Sequence, residues 1–243
     1  MNFYIIIGIM LPFVGTMVGA LTALFLKNGL KKSINHLLLG LASGVMIAAS
    51  IWSLILPSID ITNSFIEASI GFLLGILFLL VIDRFIKVIE NKNNNMLMFS
   101  VTLHNIPEGM GVGAGLSGLI SSNSFFTLAS VLTLSLGIAI QNIPEGAIIS
   151  LPLKSKGFGN KKALSYGFIS AVVEPISAII TIILVNYIEP LMPYLLSFAA
   201  GTMFYVVINE LIPESQNGKY KDLGTIGFLI GFLIMMILDV ALG

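Results

Sequence analysis

Long apolar runs, separated by short polar connections, follow one another along the whole sequence. The runs span residues 3–26, 34–57, 65–89, 96–120, 124–151, 162–186, 190–213 and 222–242. Each has about the 20 apolar residues that a helix needs to cross the hydrocarbon core of a bilayer. No run alternates apolar and polar residues as a barrel strand does, and a lone strand could not satisfy its backbone groups in lipid. The pattern predicts an all-α integral membrane protein with eight transmembrane helices.

The composition agrees with a chain whose solvent is lipid. Of 243 residues, 56% are hydrophobic and 10% are charged, whereas soluble domains carry about 25% charged residues. All connections are short, so residues 1–243 should form a single transmembrane domain. The absence of cysteine excludes disulfides and thiolate metal ligands. A net charge of zero without a long basic run argues against nucleic acid as a partner.

The basic residues predict the orientation of the helices. All 12 Lys and Arg lie in the first, third, fifth and seventh connections. In chain order they are Lys27, Lys31, Lys32, Arg84, Lys87, Lys92, Lys154, Lys156, Lys161, Lys162, Lys219 and Lys221. Basic connections face the cytoplasm, so both termini should be extracytoplasmic, and the strict alternation requires an even number of helices. We expect a multi-pass protein of the cell membrane.

An internal repeat relates the first and last thirds of the chain. Residues 71–75 and 227–231 read Gly-Phe-Leu-Leu-Gly and Gly-Phe-Leu-Ile-Gly, and each is followed at the same spacing by an aspartate, Asp83 or Asp239. A Gly-x-Met sequence is likewise shared by residues 44–46 and 201–203. The matching runs are traversed in opposite directions. This pattern predicts an inverted repeat with three helices on each side of a central antiparallel pair, an arrangement common in secondary transporters.

The central pair of runs carries two nearly identical polar hexapeptides. Residues 104–109 read His-Asn-Ile-Pro-Glu-Gly and residues 141–146 read Gln-Asn-Ile-Pro-Glu-Gly. Positions four apart lie on one helix face, so each glutamate stacks with the first residue of its hexapeptide. If the two faces oppose each other, the side chains that meet are His104, Asn105, Glu108, Gln141, Asn142 and Glu145.

Two carboxylates in the middle of membrane helices need compensation. One charged side chain at the bilayer centre costs at least ~2.5 kcal/mol, and two facing carboxylates also repel each other. A bound cation is the simplest compensator. Pro107 and Pro144 lack an N–H, which frees the carbonyls of Leu103 and Ile140 as further oxygen ligands. The alternative is that these residues only form hydrogen bonds between kinked helices. Two copies of the hexapeptide on antiparallel helices favour an ion site instead.

Other runs contribute further candidates for this site. Glu174 precedes a proline in the middle of the sixth run, and Met46 offers a thioether in the second, although methionine in a membrane helix usually serves packing. Along the pathway the candidates are Ser53 and Asp60 toward the outer end, and Asn209 and Glu210 toward the inner end. An acid at a helix end can also be simply solvated. Imidazole with carboxylate suits zinc, iron, manganese or cadmium, whereas magnesium and calcium prefer oxygen alone.

The hexapeptides resemble the signature of the ZIP (Zrt/Irt-like protein) family of divalent-metal transporters, particularly its prokaryotic branch. The resemblance implies zinc import into the cytoplasm by an elevator-like, alternating-access movement, through a binuclear site between helices four and five. One metal position would involve His104, Glu108, Gln141, Glu145 and Met46. The other would involve Asn105, Glu108, Asn142, Glu145 and Glu174. It further implies an acidic outer entrance at Asp60, with Ser53 behind it, and homodimers in some members.

The chain departs from the family pattern in its seventh helix, and two other functions compete with the resemblance. The seventh helix of the family often carries His before Glu, whereas this chain has Asn209-Glu210, which leaves an inner exit site open. An intramembrane metal-dependent hydrolase is the main alternative, but no His-Glu-x-x-His occurs. A cation channel is the third. We expect no enzyme activity and no prosthetic group, only transported Zn²⁺, or Cd²⁺, Fe²⁺ or Mn²⁺, in the site.

Overall fold

The computed structural model describes residues 2–25, 31–90, 96–121, 125–155, 157–184 and 189–242. Lys27, Lys92 and Lys156 of the predicted connections lie outside these ranges. Within them the chain forms eight long helices, here numbered in chain order. They are α1 (Asn2–Phe25), α2 (Lys32–Thr62), α3 (Phe65–Glu90), α4 (Met96–Ile120), α5 (Leu128–Ser155), α6 (Asn160–Ile183), α7 (Met192–Ser215) and α8 (Lys221–Leu242). Short 3₁₀ turns, Glu189–Leu191 and Gly218–Tyr220, precede α7 and α8.

The helices confirm the predicted all-α membrane class. Among the described residues, seven helices are long and apolar enough to cross a membrane, namely all except α4. The α4 helix has 25 residues and carries the first hexapeptide. Large apolar side chains remain exposed on the outer faces of α1, α3, α6 and α8, where lipid tails would cover them. Most predicted boundaries lie within a few residues of the observed ones.

The second run was predicted too short. It was expected to end at residue 57, but α2 continues to Thr62 and reaches 31 residues. The reason is a π-helical segment, Ser50–Ile55, after which Pro57 falls in the first turn of a renewed α-helix. A proline in a first turn breaks no hydrogen bond, because the N–H groups there have no partner within that α-helical turn.

A second π-helical segment lies in α7. It spans Val207–Leu211 and is also followed by a proline, Pro213, in the first turn of the α-helix beyond it. Single-turn π segments inside α-helices frequently occur at functional sites, because the wider turn redirects side chains. In this protein the two segments carry the pathway candidates Ser53, Asn209 and Glu210.

Glycines bring four pairs of helices into backbone contact. The pairs are α1 with α5, α4 with α6, α2 with α8, and α3 with α7. In the first pair, a Cβ added at Gly15 or Gly19 would overlap the backbone carbonyl of Ala139 or Ile143. Small residues at helix contacts are what allows such close approach in membranes. The α1 helix also packs on α6, so α1, α4, α5 and α6 form one group, and α2, α3, α7 and α8 form another.

The contacts between these two groups are of a different kind. They are made mainly by α2 with α5 and by α4 with α7. At Gly111 of α4, the atoms nearest to an added Cβ are side-chain carbons of Ala199 and Leu54, and at Gly137 of α5 they belong to the side chain of Met235. The groups therefore meet through side chains at these positions, whereas the helices of each of the four pairs meet through their backbones.

Candidate metal centre

The structure brings the two hexapeptides together in the interior. The side chains of Asn105, Glu108, Gln141, Asn142 and Glu145 are all buried, with at most 6% of their surface exposed. The amide Nε2 of Gln141 donates to Oε1 of Glu108 at 2.9 Å, which ties α5 to α4. The carboxyl groups of Glu108 and Glu145 lie close enough to interact electrostatically. The side chain of His104 lies outside the part of the structure that is described.

Glu174, the site candidate of the sixth run, contacts this cluster from α6. It is 1% exposed, and its Oε1 accepts a hydrogen bond of 3.0 Å from Asn105 Nδ2. The same nitrogen lies 3.1 Å from the carbonyl oxygen of Ser170. The hydroxyl of Thr16 in α1 donates to the same Oε1 at 2.6 Å. Thr16 and Ser170 were missed by sequence reasoning, because a hydroxyl in an apolar run gives no signal of its own.

Oxygen acceptors without a donor collect at this place. In the described residues, six buried side-chain oxygens of the cluster have no hydrogen-bond partner. They are Asn105 Oδ1, Glu108 Oε2, Gln141 Oε1, Asn142 Oδ1, Glu145 Oε2 and Glu174 Oε2. A buried polar group without a partner costs about 1–3 kcal/mol, and more if it is charged. A cation that is coordinated by several of these oxygens would offset that cost.

The site is not a closed cage of firm ligands. Among the side chains that are described, no group of three His, Asp or Glu residues is arranged to hold a metal ion. The carboxylates are instead interleaved with carboxamides, and Asn142 lies near both Glu108 and Glu174. Met46 is buried in the main apolar core, at 1% exposure. Such a mixed oxygen site suits an ion that must leave again.

A cavity contains the residues predicted for the outer entrance. It has a volume of about 220 Å³, and its polar lining comes from Ser53, Asp60, Ser130 and Asp239. Ser53 donates to Oδ1 of Asp239 at 2.5 Å, while Oδ2 of Asp239 is buried and has no partner among the described residues. Sequence reasoning noted Asp239 as a repeat marker and missed it as a lining residue, since its partner is distant in the chain.

An aspartate of α3 meets the π segment of α7 in a comparable way. Oδ2 of Asp83 accepts hydrogen bonds from Tyr205 at 3.0 Å and from Asn209 at 3.1 Å. Glu210, next to Asn209, interacts electrostatically with Glu145 of the central cluster. Asn209 and Glu210 are thereby placed between the central cluster and Asp83. Asp83 was also missed as a pathway residue, although the repeat had marked it.

Comparison with known proteins agrees with the sequence signature. Residues 91–239 match the family model of the ZIP zinc transporter. Zinc transporter ZIP11 of Xenopus tropicalis is 30% identical over 327 aligned positions, covering 98% of this chain and 97% of the relative. Zinc transporter ZIPB of Bordetella bronchiseptica is 31% identical, with 99% and 82% covered. Zinc transporter ZIP11 of Homo sapiens is 38% identical over 148 residues, which are 61% of this chain and 43% of the relative. The match to the family model covers more than half of the chain and the first two relatives align with nearly all of it, so the chain is a multi-pass membrane protein of the ZIP zinc transporter family.

Proposed function

We propose that the protein imports divalent transition-metal ions, zinc first, into the cytoplasm through the site between α4 and α5. The observation that carries this proposal is the set of six unpartnered buried oxygens contributed by α4, α5 and α6. Oxygens alone would also suit magnesium or calcium, but His104 stands one turn before Glu108 and adds a nitrogen ligand that favours zinc. The relatives are named as zinc transporters rather than enzymes, which disfavours the hydrolase alternative.

The site is proposed to hold two ions that share ligands. The first position would use His104, Glu108, Gln141, Glu145 and Met46. The second would use Asn105, Glu108, Asn142, Glu145 and Glu174. The electrostatic interaction between Glu108 and Glu145 supports this sharing, because two like charges that repel each other are both stabilised by cations placed between them.

The pathway on each side of the site is proposed to follow the two π segments. Ions would enter through the outer cavity past Asp60 and Ser53, and leave past Glu210 and Asn209. Both segments are anchored by hydrogen bonds to an aspartate of a neighbouring helix, Asp239 or Asp83. Where the family often has histidine, Asn209 is engaged by Asp83, so Glu210 is the stronger candidate for an exit ligand.

The packing of the helices supports the inverted repeat. In an inverted repeat, α1 corresponds to α6, α2 to α7, α3 to α8 and α4 to α5. Under this correspondence the backbone-contact pair α1–α5 becomes α6–α4, and the pair α2–α8 becomes α7–α3. Both resulting pairs are present. We therefore infer a three-two-three arrangement with both termini extracytoplasmic, as the basic connections predict. A homodimer stays a prediction.

The two kinds of helix contact support an elevator-like movement. Backbone contacts join the two helix pairs of each group internally, and α1 packs on α6, while the side-chain contacts between groups would permit sliding. All proposed ligands except Met46 lie on α4, α5 and α6. The group formed by α1, α4, α5 and α6 would therefore carry the ions past the group formed by α2, α3, α7 and α8. The hydrogen bonds from Ser53 to Asp239 and from Asn209 to Asp83 stay within the second group.

A disulfide between the groups is expected to stop transport. The chain has no native cysteine, and a Cβ at Gly111 would lie 3.3 Å from the Cβ of Ala199, close to the separation in a disulfide. The protein with both Gly111→Cys and Ala199→Cys should lose uptake when it is oxidised and recover uptake when it is reduced. The two single variants, treated in the same way, should stay active. Full uptake by the oxidised, cross-linked protein would contradict the movement.

Uptake into proteoliposomes tests the function itself. The purified wild-type protein should accumulate Zn²⁺ inside the vesicles with saturation, and Cd²⁺, Fe²⁺ and Mn²⁺ should compete to different degrees. A channel would instead give flux that does not saturate. Empty vesicles and vesicles with the Glu108→Gln variant serve as controls. A protein that neither binds nor carries any transition metal would overturn the proposal.

A further inference from the structure

Thr16 makes an unusually directed contact with the central cluster. It lies in the middle of α1 and is fully buried. Its Oγ1 is 2.6 Å from Oε1 of Glu174, while the carbonyl oxygen of Pro12 in its own helix is 3.4 Å away. A hydroxyl has one hydrogen to donate, and an ionised carboxylate can only accept. The short distance therefore assigns the donated bond to Glu174. When a bound cation keeps this carboxylate ionised, the bond is charge-assisted and strong.

The two oxygens of the Glu174 carboxylate differ in their surroundings. Oε1 receives the bonds from Thr16 and from Asn105. Oε2 is buried and has no partner in the described residues. Two donors from different helices thus fix the rotation of the carboxylate and occupy Oε1. The other oxygen is left with its lone pairs free to coordinate a cation.

The repeat gives Thr16 a particular place in the site. Gly109 of α4 lies against the carbonyl oxygen of Glu174, and Gly146 of α5 lies against the carbonyl oxygen of Thr16. Gly109 and Gly146 are the last residues of the two hexapeptides and so occupy equivalent positions. Thr16 is therefore the counterpart in α1 of Glu174 in α6. Where the repeat would place another carboxylate, this chain has a hydroxyl that turns toward the existing one.

We propose that Thr16 is a positioning residue of the metal site, which orients the Glu174 carboxylate so that Oε2 faces the ion. This inference rests on the proposed function, because it assigns Thr16 a role toward the transported metal. Thr16 itself need not touch the ion. Its bond joins α1 to α6, two helices of the same group, so it would persist during an elevator-like movement.

Matched substitutions separate this role from simple packing. Thr16→Val keeps the shape of the side chain and removes the donor, whereas Thr16→Ser keeps the donor. We expect Thr16→Val to raise the dissociation constant for Zn²⁺ and the KM of uptake roughly tenfold, as losses of outer partners of metal ligands do. The maximal rate per folded transporter should change much less. Thr16→Ser should bind and carry zinc like the wild type.

Thr181→Val is the control. Thr181 is a buried threonine of α6, and its hydroxyl donates to the carbonyl oxygen of Ser177 in the same helix at 2.8 Å. Its substitution should leave zinc affinity unchanged. If Thr16→Val binds Zn²⁺ as tightly as the wild type, or if Thr16→Ser is as weak as Thr16→Val, the positioning role is wrong. A wild-type protein that holds no zinc would overturn the proposed function as well, and the two failures are thereby distinguished.

Discussion

Zinc uptake should fall roughly 100-fold or more when Glu108 is replaced with glutamine, because the substitution removes a ligand proposed for both ion positions. Glutamine has nearly the same shape, and its oxygen can still accept the bond that Gln141 Nε2 donates to Glu108 Oε1. The contact between α4 and α5 is therefore kept, while the negative charge that offsets the dications is lost. Initial uptake rates in proteoliposomes, corrected for the amount of reconstituted protein, measure the effect.

The matched control for this variant is Glu214→Gln. Glu214 is an exposed acid beyond the π segment of α7, so the same chemical change there should alter uptake by less than about twofold, as exposed charges contribute little. Direct titration of the detergent-solubilised Glu108→Gln variant should also show weaker zinc binding. If uptake and zinc binding of this variant equal those of the wild type, Glu108 is not a ligand and the shared-ligand arrangement is wrong.

Substituting alanine for Gly19 should destabilise the protein by about 2–3 kcal/mol, at the upper end of what overpacking usually costs. The added Cβ would overlap the carbonyl oxygen of Ile143. This neighbour is backbone, so it cannot move aside by changing a rotamer, and α1 and α5 would have to separate. Thermal unfolding of the purified protein in detergent should show a clearly lower Tm.

Gly115→Ala provides the comparison within the same group of helices. The nearest atoms to a Cβ at Gly115 are side-chain carbons of Val131, at 3.6 Å, which is ordinary van der Waals contact. Alanine also favours a helix over glycine by about 1 kcal/mol. The Tm of this variant should equal or exceed that of the wild type. An equal loss of stability in both variants would mean that backbone contact does not distinguish the two positions.

The helices could be predicted from the sequence because apolar runs of this length have one stable form in lipid. The end of α2 could not, because a proline normally stops a run, and the π segment before Pro57 cannot be recognised from composition. The candidate residues of the two hexapeptides could be identified for a similar reason. Within one helix, the spacing of residues 104–109 or 141–146 determines which side chains lie on the same face.

Contacts between residues that are far apart in the sequence could not be predicted. Thr16 meets Glu174 across 158 positions of the chain, and nothing in the sequence of α1 indicates which of its faces is turned inward. The repeat marked Asp83 and Asp239 but did not identify their partners. Ser53 was expected along the outer path, which stays a prediction, and its bond to Asp239 became visible only in the structure.

The unequal length of the two π segments accounts for a shift in the numbering of the two halves. Gly201 follows Gly44 by 157 positions, whereas Gly227 follows Gly71 by 156. The segment in α2 has 6 residues and the one in α7 has 5, and Pro213 already follows Pro57 by the smaller offset. The one-residue difference between α2 and α7 is thus absorbed inside a widened helical turn instead of a loop. A superposition of α2 and α3 on α7 and α8 should therefore place its gap within residues 50–55, beside the proposed ion path.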